Sequence, residues 1–260
     1  AYQIVPCLQV QVMQYTNKYD VPIEVIRAVQ NDPYTKGDGV VLSVTQLIKP
    51  PRIVALQTKH DDEISVDYRD EVFKLLGKGV HTVLENANMG DENIVPEKRL
   101  YAEIDGWKIS GQTDTMSLRE KLLTDYKCTS VYAVTSDKPE WEAQLNMYAW
   151  LWRKHGHQIE RLRILAILRD WRRSEADKKF DYPQTPVVSI DIPLWGFIRQ
   201  DEFVRMRVNI HQDAANGGEL PDCTDEERWT RGSKNIRCEG NWCQVSKFCS
   251  QWQSIKEKKS

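Results

Sequence analysis

The sequence lacks any run approaching the roughly 18 consecutive apolar residues that a membrane-spanning helix needs. Its first residues, AYQIVPCLQV, carry neither a basic leader nor a small-residue cleavage site, so a soluble, intracellular protein with no membrane partner is expected. An excess of one charge sign is missing as well. With 36 basic and 38 acidic residues the formal charge is -2, so nothing in the total demands a polyanionic partner and any nucleic-acid surface must be local. Internal repeats and low-complexity segments are absent, which excludes a repeat architecture. Cysteine is scarce over most of the chain: only Cys7 and Cys128 precede Cys223, after which Cys238, Cys243 and Cys249 follow at short intervals. A chain of 260 residues can build a core without disulfides, and in a reducing compartment clustered cysteines are more often thiolate ligands than disulfide halves.

Local patterning predicts an α/β or α+β fold with a mixed sheet. Residues 1–40 combine apolar stretches with turn material, Asn31-Asp32-Pro33 and Lys36-Gly37-Asp38-Gly39, and read as a peripheral arm. Ser43 is placed to cap a short helix that Pro50-Pro51 ends, and the charged run His60-Asp61-Asp62-Glu63 reads as a solvated link. Val72, Leu75, Leu76, Val80, Val83 and Leu84 recur at helical spacing, predicting a helix from Tyr68 to Asn86 with one buried face and with His81 and Glu85 one turn apart. Alternation around Leu100, Ala102 and Ile104, then Asp105-Gly106, then Trp107 to Ser110, predicts a tight hairpin. A strand over 121–127, a helix from about Asp137 to Gly156 and a strand over 161–170 follow, the last with an apolar centre that suggests burial on both faces. A strand over 187–192 and an amphipathic helix over 197–211, broken by Gly217-Gly218, complete the pattern. The boundaries drawn are an arm over 1–40, a core over 41–215 and a cysteine-rich metal-binding tail over 216–260 packed on that core.

Chemistry concentrates on the strand Leu122-Leu123-Thr124-Asp125-Tyr126-Lys127. Side chains two apart on a strand share a face, so Asp125 and Lys127 point together, either as a surface ion pair or as part of a site. A short strand-turn-strand would bring Asp114 beside Asp125. Two close carboxylates repel unless a cation sits between them, and Mg²⁺ or Mn²⁺ favours oxygen ligands while keeping waters able to attack a phosphodiester. Taken alone, His81 beside an apolar helical face reads first as a hydrogen-bonded boundary residue. Gln144 lies on the apolar stripe Trp141, Leu145, Tyr148 and Trp152, so its amide needs a partner, whether backbone or substrate. Trp150 and Trp152 are candidates to line a groove near it. Arg172 and Arg173 beside Trp171 suit phosphate contact and stacking, although interleaved acids suit a solvated loop equally.

Taken in order, Gly79-Val80-His81-Thr82-Val83-Leu84-Glu85, Gly111-Gln112-Thr113-Asp114, Asp125-Tyr126-Lys127 and Gln144-Leu145-Asn146-Met147-Tyr148 resemble the motifs of the RecB-like nucleases of the PD-(D/E)xK superfamily. That group includes the CRISPR-associated iron-sulfur exonucleases, and the resemblance runs from about Leu42 to Cys249. It implies a restriction-endonuclease-like core, a mixed central sheet flanked by helices. His81, Asp114, Asp125 and the Tyr126 backbone carbonyl would hold Mg²⁺ or Mn²⁺, Lys127 would be the catalytic lysine, and Gln144 and Tyr148 would contact DNA. The implied activity is hydrolysis of single-stranded or end-containing DNA by a prokaryotic or phage-encoded cytoplasmic enzyme. Recombination or CRISPR-type protein partners are implied too, with oligomerisation left open. Iron-sulfur members resemble this chain in three closely spaced C-terminal cysteines but take a fourth from the N-terminal side, where this sequence reads Lys49-Pro50-Pro51-Arg52. Cys223 is therefore the candidate fourth ligand beside Cys238, Cys243 and Cys249, with Cys7 a substitute. Four thiolates suit a [4Fe-4S] cluster or Zn²⁺. The other reading is a DNA-binding or assembly subunit that keeps the fold without chemistry.

Overall fold

The computed structural model describes residues 14–31, 37–136, 138–240 and 242–258. Cys7, Asp32, Pro33, Lys36 and Asp137 lie outside the described residues. The chain divides into two compact units, one formed by Ala1–Asp32, Lys49–Val72 and His211–Ser260, the other by Pro33–Ile48 and Phe73–Ile210.

The larger unit is mixed α/β. Its main sheet orders Val187–Ile192, Arg161–Leu168, Leu122–Thr129, Thr115–Ser117 and Ile94–Val95 from edge to edge. The central pair, Leu122–Thr129 with Arg161–Leu168, is parallel and the other pairs are antiparallel. A second sheet sets Trp107–Thr113 between Leu42–Ser43 and Lys98–Ile104. The hairpin forms where expected, because Asp105 and Gly106 both take positive φ, 48° and 80°, as a two-residue turn matched to strand twist requires. Ser43 caps Val44–Leu47 by accepting the Gln46 N–H while the Gln46 side chain accepts the Ser43 N–H.

The helix Pro139–Lys154 packs against strands of both sheets. Every residue from Gln144 to Trp152 is buried, so this helix has no solvent face over that stretch. Trp150 and Trp152 are fully buried core residues rather than groove-lining ones. Each satisfies its indole N–H inside the unit, Trp150 on Asp201 at 2.9 Å and Trp152 on the Thr113 hydroxyl at 3.1 Å. The helix closes at His155, and Gly156 takes φ 85°, the left-handed stop that a Cβ would strain.

Gly111 marks the tightest approach in this packing. A Cβ there would lie 2.5 Å from Leu151 Cδ1 and 2.9 Å from Tyr148 Cδ1. Gly111→Ala is therefore expected to cost about 1–3 kcal/mol by overpacking, read as a lowered denaturation midpoint with unchanged slope. An Ala variant as stable as the parent would mean that Leu151 and Tyr148 have room to give.

The strand Arg161–Leu168 alternates, with Leu162, Ile164, Ala166 and Leu168 buried and Arg163, Leu165 and Ile167 half-buried, so only one face is fully covered. The helix Tyr68–Ala87 forms as predicted, but its apolar stripe is only partly covered: Leu75, Val80 and Leu84 are half-buried, Val72, Phe73, Leu76 and Val83 are exposed, and only Tyr68 and Glu71 are buried.

In the smaller unit, Gln14–Thr16 pairs in parallel with Ser65–Asp67, and Ile23–Gln30 forms a helix. Pro51 opens the helix Pro51–Lys59 at its first turn, where the missing N–H costs nothing, instead of merely ending the previous one. The core gathers Ile53, Leu56, Ile64, Val66, Val245 and Trp252 with Cys223, Cys243 and Cys249. Arg52 is buried beneath the Cys223 segment. Its guanidinium donates to the carbonyls of Leu220 and Pro221, to the Asp222 carboxylate and to the Ser250 hydroxyl.

Candidate active site

The site lies within the larger unit and grows from the strand Leu122–Thr129. Asp125 and Lys127 project from one face of it, as their spacing requires, and Lys127 Nζ lies 2.7 Å from Asp125 Oδ2. That contact is ionic, for the same oxygen is buried and takes no directed hydrogen bond among the described residues. Burial pushes the Asp125 carboxyl above the ordinary carboxylate range; the Lys127 ammonium opposes the rise and Asp114 adds to it.

Asp114 sits in the step between Trp107–Thr113 and Thr115–Ser117, and this short strand-to-strand link carries it to the neighbouring strand. Its Oδ2 accepts the Tyr126 backbone N–H at 2.6 Å, and its Oδ1 lies 3.0 Å from His81 Nδ1. The bond to Asp114 holds the His81 imidazole above its ordinary value, and the Asp114 and Asp125 charges reinforce this against burial. His81 comes from the helix Tyr68–Ala87 and meets the Tyr126 ring edge-on at 5.9 Å. Asn88, two turns further, donates to the Tyr126 hydroxyl at 3.2 Å.

On the other side the lysine is held by the buried helix. Lys127 Nζ donates to Gln144 Oε1 at 3.1 Å, and Gln144 Nε2 donates to the Tyr148 hydroxyl at 3.0 Å. The amide whose partner the sequence left open therefore completes a chain from Asp125 through Lys127 and Gln144 to Tyr148. Asp114 and Tyr148 both open onto a cleft of about 270 Å³, together with Thr45, Glu97, Gly111 and Gln112.

Glu97 is the member that spacing did not single out. It lies in the link before Lys98–Ile104, and its carboxyl is raised first by burial and then by the charges of Glu85 and Asp114. Glu85 was visible only as the residue one turn from His81. Nothing in the local sequence Pro96-Glu97-Lys98 marks Glu97, because its proximity to Asp114 comes from sheet pairing. Arg172 and Arg173 are exposed beyond the strand Arg161–Leu168, and no described hydrogen bond or ion pair joins either to the carboxylates.

Among the described residues, no group of three or more His, Cys, Asp or Glu side chains is arranged to hold a metal ion as it stands. At the acidic site the carboxylates are instead satisfied by His81 and Lys127. The chemistry of the set still fits a hard divalent cation: two neighbouring carboxylates beside an imidazole. The expected cysteine metal centre is likewise not shown as a ligand set. Within the smaller unit, however, Cys223, Cys238, Cys243 and Cys249 all line one cavity of about 10 Å³, and four thiols converging there have the donor chemistry of a thiolate-bound ion. Burial pushes the Cys223 thiol up to about 12 and the Cys238 thiol up to about 11.

No protein-family model matches the sequence, and no curated protein matches it. Among solved structures, the fold is similar to that of SSO0001, with 19% identity and a TM-score of 0.55 over 88% of this chain and 95% of that one. This likeness shows a shared mixed α/β fold with mixed sheets flanked by helices. Looser overlaps occur with a phage-related exonuclease from Haemophilus somnus 129PT (12% identity, 75% of this chain and 79% of that one, TM-score 0.33). Another is with an alkaline exonuclease from Laribacter hongkongensis (10% identity, 66% and 92%, TM-score 0.36); both are too loose to carry weight. Among the described residues no helix is long and apolar enough to cross a membrane.

Proposed function

We propose that this chain is a metal-dependent nuclease that hydrolyses phosphodiester bonds of single-stranded or end-containing DNA, in recombination, repair or phage DNA processing. The observation that supports it most is the linked set His81–Asp114 and Asp125–Lys127–Gln144–Tyr148 beside one cleft. His81, Asp114, Asp125 and the Tyr126 carbonyl would hold Mg²⁺ or Mn²⁺. When bound, such an ion supplies an acidified water and a polarised phosphoryl oxygen.

The chain's own groups prepare that chemistry. Lys127 opposes the rise that desolvation gives the buried Asp125 carboxyl, and Gln144 fixes the ammonium against the strand so that its remaining hydrogens face phosphate or the attacking water. Tyr148 holds the Gln144 amide and borders the cleft, which suits contact with the substrate backbone. The Tyr126 N–H orients Asp114. Arg172 and Arg173 extend the reading as outlying phosphate contacts.

The cysteine set belongs to the same proposal as a structural centre, a [4Fe-4S] cluster or alternatively Zn²⁺, held by Cys223, Cys238, Cys243 and Cys249. A second reading has a specific observation behind it: His81 with Asp114 and Lys127 with Asp125 already satisfy one another, as they would in a silent DNA-binding subunit.

End-labelled single- and double-stranded DNA, incubated with Mg²⁺, Mn²⁺ or EDTA, separates the two. Cutting that needs the ion and falls by about 10²–10⁴-fold in Lys127→Ala is the expected result. No cutting by folded wild-type protein on any of these substrates would leave the binding subunit.

A further inference from the structure

We propose that Arg237 donates an N–H···S hydrogen bond to the thiolates of the cysteine centre and thereby sets how tightly that centre holds its metal. The inference rests on the reading that the four thiols bind one.

Three guanidinium groups line the cavity that the four cysteines enclose: Arg52, Arg228 and Arg237. Two of them have their hydrogens engaged with oxygen. Arg52 is held by Leu220, Pro221, Asp222 and Ser250. Arg228 donates to the Cys223 carbonyl, to Asp225 and to Asn235. Arg237 differs. Its Nη1 donates to the Glu227 carbonyl at 3.1 Å and its guanidinium carbon lies 5.1 Å from the Trp229 ring centroid, yet its Nε is buried with no acceptor among the described residues.

A buried N–H without an acceptor is costly, so its persistence asks for a partner. The cavity it lines offers sulfur. A neutral thiol is a weak acceptor, whereas a thiolate is a strong one, so the bond becomes worthwhile when the cysteines ionise onto a metal. Four thiolates around a divalent ion carry a net charge of about -2, and an always-charged guanidinium offsets it where a lysine's point charge would give no fixed fork. Groups that donate to metal ligands typically change affinity by about 10–100-fold, and hydrogen bonds to cluster sulfurs tune reduction potential.

The test loads the reduced full-length chain in two arms, Co²⁺ in one and iron with sulfide in the other, and compares wild type with Arg237→Met, Arg237→Lys and Trp229→Leu. In the Co²⁺ arm, Arg237→Met is expected to move the sulfur-to-cobalt charge-transfer band to lower energy and to weaken Zn²⁺ in competition by about 10–100-fold. In the iron arm the same variant is expected to lower the cluster's potential. Arg237→Lys should behave like Arg237→Met in band position, because it loses the Nε–H even though it keeps the charge. Trp229→Leu removes only the stacking partner and should leave both spectra unchanged. Variants that bind metal with wild-type affinity, band and potential would overturn the role of Arg237, as would a Trp229→Leu protein that reproduces the shift. A wild type that takes up neither Co²⁺, Zn²⁺ nor a cluster would overturn the metal centre itself, and the proposal with it.

Discussion

Asp114→Asn is expected to lower metal-dependent DNA cutting by about 10³-fold while leaving the protein folded, a loss of the order seen when one preorganised charge-stabilising group leaves an active site. The asparagine has the same shape but offers one carbonyl oxygen where the aspartate uses two. Oδ2 accepts the Tyr126 N–H and Oδ1 faces His81 Nδ1, so the amide must turn an NH₂ toward one of them. With the second carboxylate gone, a divalent cation held there as proposed would lose half the carboxylate charge that binds it. Raising Mg²⁺ or Mn²⁺ should then recover part of the rate, which a purely structural lesion would not allow. The companion change, Lys127→Ala, acts differently. Burial already raises the Asp125 carboxyl and Lys127 is the largest influence holding it down, so removing the amine raises it further. A carboxyl with a raised value is protonated over a wider range of low pH and ionises as pH rises, so residual activity in Lys127→Ala should climb with pH more steeply than in wild type. Single-turnover cutting of labelled DNA across a pH series checks both. An Asp114→Asn enzyme that cuts at the parental rate with the parental metal dependence would remove this site from the chemistry.

Those residues were legible because their signals are local. The Asp125-x-Lys127 spacing needs only strand pleating to put both side chains together, and the Asp105-Gly106 turn dictates the hairpin from two residues whose φ must be positive. The strand Val187–Ile192 forms over the predicted residues because alternation suffices for a strand near a sheet edge. Apolar periodicity identified the helix Tyr68–Ala87 but not what covers it, since a stripe on a helix says which residues share a face and not where a neighbour lies. The same gap explains the tryptophans. Trp150 and Trp152 look like groove residues beside Gln144, yet Asp201 and Thr113 supply their indole partners, and those come from distant segments. Pro51 looks like a stop because proline breaks a helix interior, whereas at a first turn it starts one. Glu97 joins Asp114 only through pairing, so no window of sequence contains the relation.

For the cysteines, if they hold a metal as proposed, the expected result is partial rather than complete loss of structure on removing it. Chelation, or Cys243→Ser, should release the metal and lower the stability of the cysteine-containing unit by several kcal/mol. That is well below the roughly 10–16 kcal/mol by which zinc holds peptides that have no core of their own. The reason is the company the cysteines keep. Cys223, Cys243 and Cys249 pack with Ile53, Leu56, Ile64, Val66, Val245 and Trp252, and each such fully buried side chain contributes about 1.5–3 kcal/mol. Arg52 separately pins the segment before Cys223 through three acceptors and reaches Ser250 with a fourth bond. The short hairpin pairing Thr230–Arg231 with Lys234–Asn235 is held by polar bonds at Asn235, which accepts from Arg228 and donates its N–H to Glu239, rather than by apolar packing, and Trp229 before it is exposed in a left-handed conformation at φ 56°. Metal release should therefore open residues 229–242 to protease while the helices Pro51–Lys59 and Ser250–Glu257 stay protected. Limited proteolysis with mass mapping, run beside metal analysis of the purified chain, reads this directly. If the protein carries no metal and its cleavage pattern and melting curve ignore both chelator and Cys243→Ser, the four thiols are ordinary core residues and the fold holds this end of the chain by apolar packing alone.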